Sequence, residues 1–181
     1  MEFTSKKIAQ ILNESQSKAR RWVKDFLPPD PDIGLRSGKT RQHGLNDVFS
    51  VFLGGYLVTG MGFSVSDAKI ILDDIRPRLA REGLLPLRTA EYAPRDRIGY
   101  KVERIDIHIV QTAAPSAFCY EIRWIVREHN GQGGIVKSKY LTDRFPGNGI
   151  AALDPVVDHV RILPITRVLS RFQALLSVCS R

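Results

Sequence analysis

The chain has 181 residues, 43% hydrophobic and 25% charged, a globular composition that excludes an intrinsically disordered one. Its 27 Lys and Arg against 19 Asp and Glu leave a formal charge of +8, which favours anionic partners. No apolar run approaches the ~20 residues that span a bilayer, and no basic segment followed by an apolar core opens the sequence, so a cytoplasmic location without membrane contact is expected.

The first ~80 residues carry helical periodicity. Thr4 or Ser5 caps a first helix with Ile8, Ala9, Ile11 and Leu12 on one face. Asn13-Glu14 breaks it, and Ser15 caps a second helix in which Ala19, Trp22, Val23 and Phe26 follow the spacing i, i+3, i+4, i+7. Pro28, Pro29 and Pro31 end that helix. Asp32 to Leu45, with Gly34, Gly38 and Gly44 among basic residues, suits a short β-hairpin turning near Ser37-Gly38. Asn46 or Asp47 then caps a third helix bearing Leu45, Val48, Phe49, Phe52 and Tyr56. Gly54-Gly55 inside it implies close packing, since each glycine costs about 1 kcal/mol against alanine. Ser64 to Asp67 resembles a capping box for a fourth helix with Ala68, Ile71, Leu72, Ile75 and Leu79 inward, and Pro77 predicts a kink or early stop.

Beyond Gly83 the period changes to two. Ile105, Ile107 and Ile109 alternate with Arg104, Asp106 and His108, and Phe118, Tyr120, Ile122, Trp124 and Val126 alternate with Cys119, Glu121, Arg123 and Ile125. A turn over His129 to Gly134 returns a third strand, Ile135 to Leu141, and the short connection requires antiparallel pairing. "FPGNG", Phe145 to Gly149, reads as a loop. Ile165, Val168, Leu169, Phe172, Leu175, Leu176 and Cys179 form a last helical stripe that either dimerises or covers the sheet. The whole is α+β, with four N-terminal helices and a hairpin (1–82) before a small antiparallel-sheet domain with a C-terminal helix (83–181).

With the apolar stripe of the second helix inward, Ser17, Lys18, Arg20, Arg21 and Lys24 point outward, four cations with no acid before Asp25. A short helix, a tight turn, a helix with a cationic outer face and a basic hairpin carrying Arg36, Lys39, Arg41 and His43 together make a winged helix-turn-helix. Its second helix fits a major groove and its wing reaches phosphates or the minor groove.

"FTSKKIAQILNESQSKARRWVKDFLP", "GKTRQHGLNDVFSVFLGGYLV" and "GMGFSVSDAKIIL" resemble, in order and spacing, the DNA-binding domain of the MerR family of regulators over residues ~3–80. The marks are Ile8-Ala9, Arg21-Trp22, "GKTR", Asn46-Asp47-Val48 and Gly62-Phe63-Ser64. The resemblance implies sequence-specific binding to double-stranded DNA as a homodimer and a role in transcription. It matches Lys18, Arg20, Arg21 and Lys24 to recognition-helix contacts, Arg36, Lys39 and Arg41 to wing contacts, and Trp22 to a core position. The long dimerising helix usual in the family is replaced by Pro77, Pro86 and β alternation, as in phage excisionases and small terminase subunits with MerR-like domains.

The second half could bind a small-molecule or protein effector. Tyr100, Tyr120, Trp124 and Tyr140 either line a pocket or, as is commoner at two-residue spacing, form sheet core. Asp106, His108 and Glu103 lie close enough in sequence for a catalytic pair, but on the face expected to meet solvent. With no nucleophile, phosphate-loop or metal-ligand motif, neither enzyme activity nor a cofactor or metal is expected. A ligand- or protein-binding module without DNA contact is the remaining alternative.

Overall fold

The structure is a computed structural model that describes residues 2–29, 42–85, 100–114, 116–129, 135–147 and 157–179. Its elements are α1 (Ser5–Leu12), α2 (Gln16–Phe26), α3 (Leu45–Thr59), α4 (Val65–Arg81), β1 (Tyr100–Thr112), β2 (Phe118–His129), β3 (Ile135–Pro146), β4 (Val157–Leu163) and α5 (Ile165–Cys179). They form two compact units. One holds α1 to α3, α4 through Asp73 and α5 from Arg171; the other holds α4 from Asp74, the four strands and α5 through Ser170. The units therefore divide within α4 and α5, where the sequence suggested a single boundary after residue 82.

In the helical unit, local chemistry sets the ends. The Thr4 hydroxyl accepts the Lys7 N–H and Ser15 accepts that of Lys18, both at 3.3 Å. Asn13 takes a left-handed conformation (φ 52°) that stops α1 and turns the chain within three residues into α2. The third helix starts earlier than expected. Gly44 is its N-cap, and Asp47, three residues in, accepts the Gly44 N–H at 3.1 Å. Neither Asn46 nor Asp47 is the cap, because the acid works back from the first turn. Ser64 accepts the Asp67 N–H at 3.0 Å as expected for a capping box, and its hydroxyl donates to the Asp67 carboxylate.

Residues Val48 to Gly55 are buried without a break, the pattern of a helix surrounded by others. A Cβ at Gly54 would fall within 3.0 Å of the Phe26 ring, and one at Gly55 equally close to Trp22. The two glycines thus let the aromatic stripe of α2 lie directly on α3. On another side, the Phe49 and Phe52 rings each lie 5.2 Å from Phe172 of α5. Lys7 donates to the Cys179 carbonyl, placing a cation at the C-terminal end of α5.

In the other unit the sheet is antiparallel in the order β3-β2-β1-β4. Ile105, Ile107 and Ile109 lie opposite Trp124, Ile122 and Tyr120 on one buried face. A bulge between Val102 and Arg104 inserts one residue, so Val102 and Ile105 are both buried despite their odd spacing. β3 continues to Pro146, through residues expected to be loop, because Phe145 stacks on Tyr120 with 5.0 Å between ring centroids. β4 was not expected. Its Val160 and Ile162 stay exposed, so it lacks the buried alternation that marks a strand in sequence. Thr166 in the first turn of α5 accepts the Ile105 N–H at 2.9 Å.

Pro77 does not end α4, which runs on to Arg81. A polar stripe holds its second half to the sheet: Asp74, Arg78 and Glu82, the last just past the helix, at i, i+4, i+8. Asp74 accepts the Tyr120 hydroxyl at 2.7 Å and Glu82 accepts the Trp124 indole N–H at 3.0 Å. Arg78 pairs with Asp143 and lies against the Trp124 and Phe145 rings, 5.8 and 5.6 Å from their centroids. Burial and the Asp74 hydrogen bond push the Tyr120 phenol far above its ordinary range, so it stays a donor.

Gly55→Ala is expected to force Trp22 off α3 and to destabilise the protein by about 1–3 kcal/mol, read from the urea midpoint. Gly62→Ala supplies the contrast. A Cβ there meets nothing, and only the strain of its φ of 74° is felt.

Candidate functional site

The first candidate surface is the outer side of α2. Ala19, Trp22, Val23 and Phe26 are buried, and Ser17, Arg20, Arg21 and Lys24 are exposed. Among the described residues Arg20, Arg21 and Lys24 enter no ion pair. Lys18 differs. Its ammonium is 2.7 Å from the Glu14 carboxylate and sits 4.7 Å from the centroid of the Trp22 ring. That ion pair ties the turn before α2 to the helix, so the four expected cations divide into three that are open and one that is held.

The expected wing, including Arg36, Lys39 and Arg41, falls outside the described residues. His43, expected to reach a phosphate from that wing, is inside the helical unit at 1% exposure. Its backbone explains the burial: His43 and Phe3 exchange both hydrogen bonds of an antiparallel bridge, at 2.9 and 3.0 Å. A side chain so enclosed cannot reach a ligand in solution, and His43 is removed from the contact set.

A second surface, absent from the expectations, is the sheet face opposite the isoleucines. The register brings His108, Glu121 and Arg144 into one row, Asp106, Arg123 and Thr142 into the next, and Arg104, Ile125 and Tyr140 into a third. Glu121 accepts from Arg123 and, at 2.7 Å, from Arg144, and Arg104 lies 2.9 Å from Asp106. Arg127 pairs with Glu103. Burial alone would push the Glu121 carboxyl up, but hydrogen bonds from Arg144 and Arg123, with their charges, outweigh it and hold it below the usual range. His108 is held below its ordinary value by burial and by Arg123, against smaller opposing effects of Glu121 and Asp106.

These contacts revise two readings. Asp106 is buried under Arg104, although its face was expected to meet solvent, so Asp106 and His108 do not form an open acid–base pair. The aromatic residues do not converge on one pocket either. Tyr120 and Trp124 are buried on one face and Tyr140 is exposed on the other, while the Tyr100 side chain is outside the described set.

The Asp74, Arg78, Glu82 spacing was visible in the sequence, but its partners lie 42 to 65 residues downstream, where no local signal points. Among the described residues, no helix is long and apolar enough to cross a membrane. No known family model matches the chain, and no curated protein matches it either.

Two outcomes test this geometry. Lys18→Met is expected to cost about 0.5–1 kcal/mol of stability by loss of the Glu14 pair and the Trp22 contact, and Lys24→Met close to nothing, as read from urea unfolding. Glu121→Gln is expected to destabilise at neutral pH. Because the folded carboxyl titrates below the unfolded one, the Glu121 contribution is complete above the ordinary carboxylate value of ~4.3 and fades as pH falls through the folded value. The gap between wild type and variant in unfolding midpoint should therefore narrow from pH 7 to pH 3, and a constant gap would exclude the carboxylate as its source.

Proposed function

We propose that the chain binds double-stranded DNA in a sequence-specific manner, as a MerR-like transcriptional regulator acting as a homodimer, with α2 entering the major groove. The observation that carries this reading is the division of α2: an aromatic stripe seated on two glycines behind, and Arg20, Arg21 and Lys24 in front, exposed and without an ion pair among the described residues. Arg20 and Arg21 are assigned to base edges, since a guanidinium can take guanine O6 and N7 together. Ser17 and Lys24 are assigned to backbone oxygens, with Arg36, Lys39 and Arg41 as wing cations. The net charge of +8 is consistent with a polyanionic partner.

A second reading shares the DNA chemistry. Among the described residues, the element that follows α4 is a strand of an antiparallel sheet, not a long dimerising helix, which favours an architectural protein of the excisionase or small-terminase kind.

Selection of bound sequences from a random duplex pool separates the two. Two symmetric half-sites about one helical turn apart support the dimeric regulator, and a single or tandem asymmetric site supports the architectural protein. Arg20→Ala with Arg21→Ala is expected to abolish preference for the selected site by about 100-fold or more while the circular dichroism spectrum is unchanged. Retention of that preference would overturn the assignment of α2.

A further inference from the structure

Among the described residues, four large hydrophobic side chains are strongly exposed, and three share the outer sheet face: Tyr140 at 71%, Val160 at 50% and Ile162 at 54%. Val160 and Ile162 lie on β4 beside Val110 and His108, and Tyr140 lies on β3 beside Ile125. Three interstrand spacings separate these flanks, about 14 Å. Across the face Arg104 on β1, Arg123 on β2 and Arg144 on β3, the strand of Tyr140, each lie one row from the last, a diagonal with steps of roughly 7–8 Å.

What a partner meets on this face is cationic. The Asp106 and Glu121 side chains are 10% and 9% exposed, whereas those of Arg104, Arg123 and Arg144 are 54%, 43% and 64% exposed. The carboxylates lie underneath and fix the direction of the guanidiniums, which therefore lose little rotamer freedom on binding. Lys101 and Arg127 extend the charge, giving, among the described side chains, five cations against three carboxylates on the face.

A second copy of the same face would repel this one. A single strand of nucleic acid is held on aromatic platforms for its bases, and Tyr140 is one ring beside two branched aliphatic side chains; a duplex is held by cations turned to its phosphates, whereas Arg104, Arg123 and Arg144 are each paired with a carboxylate of the face. Tyrosine and arginine with aliphatic neighbours are instead the composition of a protein interface core. We propose that the outer sheet face docks an acidic protein segment, its carboxylates on Arg104, Arg123 and Arg144 and its apolar side chains over Tyr140 and the Val160–Ile162 pair. This inference is independent of DNA binding by α2.

The test titrates the full chain against fluorescent probes: a short synthetic peptide alternating Leu and Glu, its Leu and Lys counterpart, and a short single-stranded DNA. The Leu/Glu peptide is expected to bind and the Leu/Lys peptide not. Tyr140→Ser with Ile162→Ser, both at exposed positions, should weaken binding about tenfold or more, and Val160→Thr should weaken it on its own. Equal binding of the two peptides, no binding of either, or binding insensitive to these substitutions would overturn the proposal. A DNA strand that binds where the Leu/Glu peptide does not, and loses affinity in the same variants, would also overturn it in favour of a nucleic-acid surface.

Discussion

The seat of Trp22 and Phe26 on Gly54 and Gly55 is the contact on which the helical unit depends. A helix presents a new residue every 100°, so its outward face is set by its inward one. With a Cβ at either glycine, the two aromatic rings would be displaced from α3 and α2 would roll or lift. The residues moved most would be Arg20, Arg21 and Lys24, which have no other described anchor. Two missing methyl groups on a buried helix thus determine where three guanidinium and ammonium groups point. The cost, about 1 kcal/mol per glycine in helix propensity, is offset because the surrounding burial of Val48 to Leu53 holds α3 helical.

The sheet unit solves a different problem. Its buried face carries Tyr120 and Trp124, large rings with a polar atom each that needs a partner when enclosed. Asp74 and Glu82 supply those partners from one side of α4, and Arg78 between them lies against Trp124 and Phe145. The same stripe accounts for the survival of α4 past Pro77. One lost backbone hydrogen bond weighs less than three side-chain attachments and the burial of Ile75 and Leu79.

Periodicity made most elements legible. The buried stripes of α1, α2, α4 and α5 and the alternation of β1 and β2 all follow from residue spacing, and the Gly54-Gly55 pair announced its close packing. What failed had physical causes. β4 is stabilised by pairing with β1 more than by burial of its own side chains, so Val160 and Ile162 gave no inside-outside signal. His43 read as a wing residue because its neighbours in sequence are basic, but the backbone bridge to Phe3, forty residues away, draws it inside. For the candidate site, the exposure of Ser17, Arg20, Arg21 and Lys24 was readable from the helix period. The capture of Lys18 was only half readable: Glu14 is four residues away, yet nothing in spacing decides that the ammonium turns back toward it and the Trp22 ring.

The two cationic surfaces differ in how their charge is held, and that difference bears on what each can recognise. On α2 the cations repel one another by a few tenths of a kcal/mol per pair and are free to choose rotamers. Their field reaches about 8–10 Å before salt screens it, which suits attraction to a dense line of phosphates and adjustment to it. On the sheet, Glu121 and Asp106 neutralise much of the field and trade it for direction. Guanidiniums fixed in this way attract weakly at a distance but bind with little loss of freedom once a complementary acid and an apolar neighbour arrive together. Under the two proposals, the α2 surface meets a regular polyanion and the sheet surface a shaped, mixed partner. The two should respond differently to salt, the α2 face strongly and the sheet face only in part, because the apolar contacts at Tyr140, Val160 and Ile162 are not screened.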